Sequence, residues 1–269
     1  MEGVSGVVHG QQVDPNGCDY AFGLAMFKAD LLACLEGLLA GGADRVVIYD
    51  EHYYGRNVDP TWLPKGVSVI CGKPPYRADW AGGLDHNCAG MIMLGFHARE
   101  GTPDALLAHT YEPDIKDLIL NGQSVGEIGM EAAIAGDWDV PLLMLTADSH
   151  GIAECDAMQL GTLGVSVKQS MGTNAAEVYA LNHSTQLIRE AAINAASGKV
   201  NARPFCVGKQ VELQVHLYDN PYCQAVRELE SERMLSGNIL RLEGRSATAV
   251  WADYWQIKLS AQQRAEALK

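Results

Sequence analysis

Apolar positions fall into two periods along this chain, one helical and one extended, and the two alternate. Residues 20–40, YAFGLAMFKADLLACLEGLLA, are apolar at helical spacing with few charges, which predicts a long, mostly buried helix. Gly41 and Gly42 end it. RVVIYD (45–50) is a short β-branched run fit for a buried parallel strand. GVSVIC (66–71), beyond a proline-bearing loop at 57–64, predicts another. MIMLGFHA (91–98), VPLLMLTAD (140–148) and VSVKQ (165–169) read as further strands, and DLILNG (117–122) as a strand and turn. Helices are predicted over 124–136 and over 173–197, the second in one piece or in two around Asn182 and Ser184.

GKVNARP (198–204) is the best candidate boundary. Beyond it VELQVHL (211–217) alternates like a strand, NPYCQAVRELESE reads as helix, NILRLEG as strand, and the tail from about Ala247 as helix. No internal repeat, heptad run or low-complexity segment interrupts this order. The expected fold is therefore α/β: a mainly parallel sheet covered by helices over 1–200, with a smaller C-terminal α+β subdomain over 201–269.

Composition narrows the classes of function. With 269 residues, 48% hydrophobic and 20% charged, the chain is long enough for a full core and is not of disordered type. A formal charge of −13 argues against nucleic acid or an anionic membrane as the main partner. Seven cysteines without a CxxC pair predict reduced thiols and a cytoplasmic protein, with Cys34 and Cys71 as small core residues. There is no signal-peptide pattern, and the apolar runs are too short or too interrupted to span a bilayer.

In parallel sheets, ligands bind beyond the C-terminal ends of the strands. Asp50, Glu51 and His52 follow VVIY, His97 follows MIMLGF, and Asp148 and His150 follow PLLMLT. Glu2, in the glycine-punctuated opening MEGVSGVVHG, joins this set if a strand precedes it. Histidines and several carboxylates together on one rim suit a divalent transition metal, most simply zinc. Each residue also has a plainer reading. A strand-end histidine is usually a loop residue, Asp50 could brace a turn, and His109 in ALLAHTY could be a satisfied core histidine. Ser124-x-x-Glu127 matches a capping box, and from spacing alone that is the better account of Glu127. A cysteine nucleophile is the weakest reading, because no cysteine sits with a histidine in a recognisable local signature.

EGVSG at the start, DEH at 50–52, LGFHAREGTPDALLAHT at 94–110, NGQSVGEIGMEAAIAGDWDVPLLMLTAD at 121–148 and VKQ at 167–169 occur in an order and spacing that resembles the M55 metallopeptidases, the D-aminopeptidases of the DppA type. The resemblance covers the N-terminal two thirds. It implies a dinuclear zinc site and release of an N-terminal D-amino acid from short peptides or amides. By motif match the metal ligands fall on Glu2, His52, His97 and Glu127, and the family's proposed nucleophile on His109. General acid/base work remains open for His109, and ligand now leads over cap for Glu127. Asp50 is a candidate to orient His52 and His97. Arg99 could bind a peptide carboxylate or form an ion pair, and Lys168 lies on the rim without a role.

The resemblance further implies a homo-oligomer, a decameric ring. Its motif is Asp-x-Glu-Gly, and MEG supplies the last three positions with Met1 in the middle. The expectation is a start assigned too late or a clipped chain, with two zinc ions per subunit when the upstream strand and its aspartate are present. The alternative is a non-catalytic or metal-deficient binding or assembly protein with the same fold.

Overall fold

The computed structural model describes residues 1–267. In chain order the first half comprises α1 (Tyr20–Ala40), β1 (Val46–Tyr49), β2 (Val67–Ile70), β3 (Met91–Phe96), β4 (Ile115–Leu120), β5 (Gln123–Val125) and α2 (Glu127–Gly136). The second half comprises β6 (Leu142–Asp148), α3 (Ser149–Ala157), β7 (Leu163–Gly172), β8 (Ala175–Val178), α4 (Leu181–Ala196), β9 (Val211–Leu217), α5 (Pro221–Leu229), β10 (Met234–Ser236), β11 (Ile239–Gly244) and α6 (Ala247–Ala267).

The β-branched and apolar runs pair as their burial demands. β1 and β2 are parallel, as are β3, β6 and β7, with β8 added antiparallel at the β7 edge. Helix α1 packs on α4, and Ala33, Cys34 and Leu38 share one core with Ile188, Ala191 and Ala192. The two helices approach so closely that a Cβ on Gly37 would lie 2.4 Å from the Arg189 carbonyl oxygen. A second sheet is antiparallel, in the order β10-β11-β9-β4-β5, so strands from both sides of residue 200 share it. The alternation in VELQVHL is realised there: Val211, Leu213, Val215 and Leu217 face a core with Trp251 and Tyr254 of α6.

Three local expectations need correction. The span 173–197 is not helical throughout. After a turn at Thr173 and Asn174, residues Ala175–Val178 pair with Lys168–Gly172, and α4 begins only at Leu181. A ladder with a ready partner outweighs the helical preference of the alanines. The predicted helix over 124–136 starts at Glu127, because Asn121 and Gly122, both at positive φ, make a tight hairpin that draws Gln123–Val125 into β5. Cys34 is buried as expected, but Cys71, just past β2, is exposed.

Among the described residues, β1 pairs only with β2, and β3 only with β6. Both strands line a cavity of 1520 Å³. Leu31, Leu35 and Leu38 of α1 line it, as do Ile134, Trp251 and Trp255. The cavity runs on to the residues that follow β1 and β3, where the candidate chemistry lies.

Candidate metal centre

β1 ends at Tyr49, and the chain turns at once through Asp50, Glu51 and His52. Asp50 braces that turn. Its carboxylate accepts the Asn57 N–H at 2.6 Å, the Val58 N–H at 2.9 Å and the Asn57 side-chain amide at 2.8 Å. Asn57 in turn donates to the His52 carbonyl at 2.8 Å. Asp50 thus holds the His52 backbone, while the ring Nδ1 of His52 is buried with no partner among the described residues. His52 Nε2 lies 3.2 Å from Glu2 Oε1.

Glu2 is brought there by its glycine neighbour. Gly3 N–H donates to the Gly95 carbonyl of β3 at 3.0 Å, and a Cβ on Gly3 would fall 1.6 Å from the Phe96 carbonyl oxygen. Only glycine permits this approach. Gly3→Ala is expected to push the Glu2 loop off the strand at an overpacking cost of about 1–3 kcal/mol. For a chain of this length, that is roughly 2–4 °C of melting temperature per kcal/mol. A thermal melt of the metal-free variant checks this, and an unchanged melting temperature would mean the loop is not held against β3.

β3 delivers His97, which is 3% exposed. Its Nδ1 lies 3.0 Å from the Ala98 carbonyl, so that nitrogen carries the hydrogen and Nε2 is left to accept. His109 repeats the arrangement with Nδ1 2.8 Å from the Leu107 carbonyl. The two rings stack at 4.0 Å, and their Nε2 atoms lie 3.5 and 3.7 Å from Glu127 Oε1. Glu127 is not a cap. The helix N-cap is Gly126 with no side-chain bond, and Ser124 donates instead to Asp117. The Glu127 carboxylate accepts the Tyr111 N–H at 2.7 Å and sits at the N-terminus of α2, where the helix dipole favours negative charge.

This arrangement fits a metal. Nitrogen and carboxylate donors are the zinc set. The backbone carbonyls fix the hydrogens on Nδ1, so two Nε2 lone pairs face one carboxylate, and acceptors facing each other must share a cation or a proton. His97, His109 and Glu127 offer ligand atoms all within 4.8 Å of one another. Glu2 and His52 form a second limb whose charge also acts on His97.

Without metal, a proton takes the cation's place. Burial pushes His97 down, but the Glu127 carboxylate outweighs it and holds His97 up at about 9. Burial pushes Glu127 up, yet His97 and His109 draw it down to about 2. His97 therefore stabilises the metal-free fold fully below its ordinary 6.5, and that contribution is lost as pH rises through about 9. Glu127 contributes above its ordinary 4.5 and loses its share as pH falls through about 2. The stability difference between the metal-free protein and His97→Gln should accordingly shrink between pH 6.5 and 9. A difference that does not change over this range would rule out the ion pair.

Other rim residues fall outside this group. Asp148 caps α3, accepting from His150 N–H at 2.7 Å and Gly151 N–H at 3.2 Å. Among the described residues, no hydrogen bond or ion pair joins the His150 side chain to the site. Arg99 lies 3.9 Å from Asp117, a long ion pair. Sequence reasoning missed a second, partly buried cluster. Tyr76 donates to Glu51, and Tyr111 donates to Glu131 at 2.7 Å. Burial, then the charge of Glu51, pushes Glu131 well above the usual carboxylate range. The available signal was the four-residue step from Glu127 to Glu131, which sets both on one face of α2.

Comparison with known proteins agrees with this architecture. A curated D-aminopeptidase of Bacillus subtilis (strain 168) is 27% identical over 206 residues, 76% of this chain and 74% of that protein. The fold superposes with a TM-score of 0.87 on a solved structure described as the Zn-dependent D-aminopeptidase DppA from Bacillus subtilis, a self-compartmentalizing protease. That match covers 99% of this chain and 95% of the other at 22% identity. The profile of the M55 peptidases, described as D-aminopeptidase, matches residues 1–253, and the chain belongs to that family.

Proposed function

We propose that this protein is a zinc-dependent aminopeptidase that releases an N-terminal D-amino acid from short peptides or amides. The observation that carries the reading is the convergence of His97 and His109 Nε2 on Glu127, with Glu2 and His52 beside them. Glu2, His52, His97 and Glu127 would hold the zinc, one or two ions per subunit. Zinc bound there supplies Lewis acidity, polarising the scissile carbonyl and making a bound water acidic enough to react near neutrality.

The residues of the chain do the rest. The Ala98 carbonyl fixes the His97 ring, as Asp50 and Asn57 fix the His52 backbone. His109 is half-buried, with Nδ1 tied to the Leu107 carbonyl and Nε2 turned into the site. It is the catalytic residue of this reading, placed to pass a proton to the leaving amine. The description of the family as D-aminopeptidase supports the stereochemical preference.

The decisive assay follows amine release from matched D- and L-aminoacyl amides by the zinc-loaded protein. Turnover of the D series, abolished by a chelator and restored by zinc, is expected. Bound zinc with turnover of neither series would favour a binding or assembly protein.

We infer in addition a cytoplasmic homo-oligomer, a decamer by the family resemblance. Seven free cysteines support a reducing compartment. Among the described residues, no helix is long and apolar enough to cross a membrane. The self-compartmentalizing relative supports the assembly.

A further inference from the structure

Lys168 is a fully buried lysine in the middle of β7. No carboxylate lies within ion-pair distance of it among the described residues. Its ammonium instead donates to three backbone carbonyls: Glu2 at 2.6 Å, Val4 at 2.8 Å and Val7 at 2.5 Å. An ammonium has three N–H groups, and all are used. Burying such a charge is costly, and an apolar side chain of the same length would fill the space without that cost. A fold that keeps the charge there is using it to fix something.

What it fixes is the segment 1–8, which has no helix or strand of its own. Lys168 turns three of its carbonyls toward one point. Asp30 of α1 holds the same segment from another side, accepting the Ser5 N–H at 2.8 Å. Gly3 ties it to β3. Glu2, whose carboxylate faces His52, sits between these anchors, and its own carbonyl is one of those Lys168 holds.

We propose that Lys168 is a positioning residue for the Glu2 limb of the metal site: by gathering the carbonyls of Glu2, Val4 and Val7 it sets where the Glu2 carboxylate presents itself. This rests on the reading of Glu2 as a zinc ligand. The side chain works through backbone 166 residues away in sequence and touches no ligand atom.

The test is zinc affinity, measured by competition with a chromophoric chelator, alongside the melting temperature of the metal-free protein. Lys168→Met is expected to weaken zinc about 10- to 100-fold, the range typical of groups that orient ligands. Lys168→Ala should behave likewise, and n-propylammonium, which replaces the missing atoms, should restore affinity where 1-propanol does not. A purely structural lysine would lower the melting temperature, leave zinc affinity at the wild-type value and respond equally to both additives; that result overturns the proposal. Should neither variant fold, Asp30→Ala removes the Ser5 anchor together with a carboxylate whose charge acts on Lys168, and is expected to weaken zinc as well; unchanged affinity there also overturns it. Glu2→Gln separates the premise from the inference. Undiminished zinc affinity in that variant would bring down the ligand assignment, and the role of Lys168 with it. A zinc-dependent Glu2 with a zinc-indifferent Lys168 would sink the inference alone.

Discussion

Glu127→Gln is expected to lower zinc affinity by more than about 100-fold, beyond the loss typical of an outer partner, and to take hydrolysis with it. The substitution keeps the shape and removes the charge. A glutamine oxygen can still accept the Tyr111 N–H that now reaches Glu127 at 2.7 Å, so the tie between the Tyr111 loop and α2 should survive. What disappears is the anion that two histidine nitrogens face at 3.5 and 3.7 Å. In the metal-free variant His97 also loses the carboxylate that holds it up at about 9 and should titrate lower. Zinc content after dialysis, chelator competition and a histidine titration by NMR read these three effects. Full zinc content with only a lower melting temperature would leave Glu127 a structural residue that ties Tyr111 to α2, not a ligand.

The predicted capping box shows where sequence reading stops. Ser124-x-x-Glu127 has the right letters, but Ser124 lies in β5 with its hydroxyl on Asp117. The Asn-Gly turn that put it there was legible; the short strand after the turn was not. The buried runs were legible because each is long enough for one period to prevail, as in VVIY, MIMLGF and LLMLTAD. Placing His52 and His97 just past such runs followed from the rule for parallel sheets. AAEV, by contrast, is a strand only because β7 offers it an edge, and a local alanine count cannot see that edge. The pairing of β9 with β4 joins segments about a hundred residues apart, so the antiparallel sheet had no local signature.

The roles within the site were carried by family resemblance, not by periodicity. The reach of Lys168 to Glu2 and of Tyr111 to Glu127 had no sequence signal, because a lysine on a strand and a tyrosine in a loop look the same whatever they touch.

His109→Ala should reduce turnover on D-aminoacyl amides by about 10²–10⁴-fold, the span a positioned acid/base group contributes, while zinc content stays at the wild-type level. The two halves of this expectation come from different observations. His109 Nδ1 is held by the Leu107 carbonyl and its Nε2 faces the site from a side chain that is 34% exposed, as a group meeting substrate from solvent would be. His97, 3% exposed, is buried beneath the ring it stacks on, as suits a group that holds metal. The same stacking makes a rival outcome concrete. His109 belongs to the one group of three donors lying within 4.8 Å of each other among the described residues, so a histidine ligand is geometrically available there. Loss of zinc in His109→Ala would establish that rival and leave proton transfer to another group. Retained zinc with lost turnover, and a KM that moves little beside kcat, would place His109 in the chemical step. His97→Ala should lose zinc under the same conditions, and the contrast between two stacked histidines separates a ligand from a catalyst.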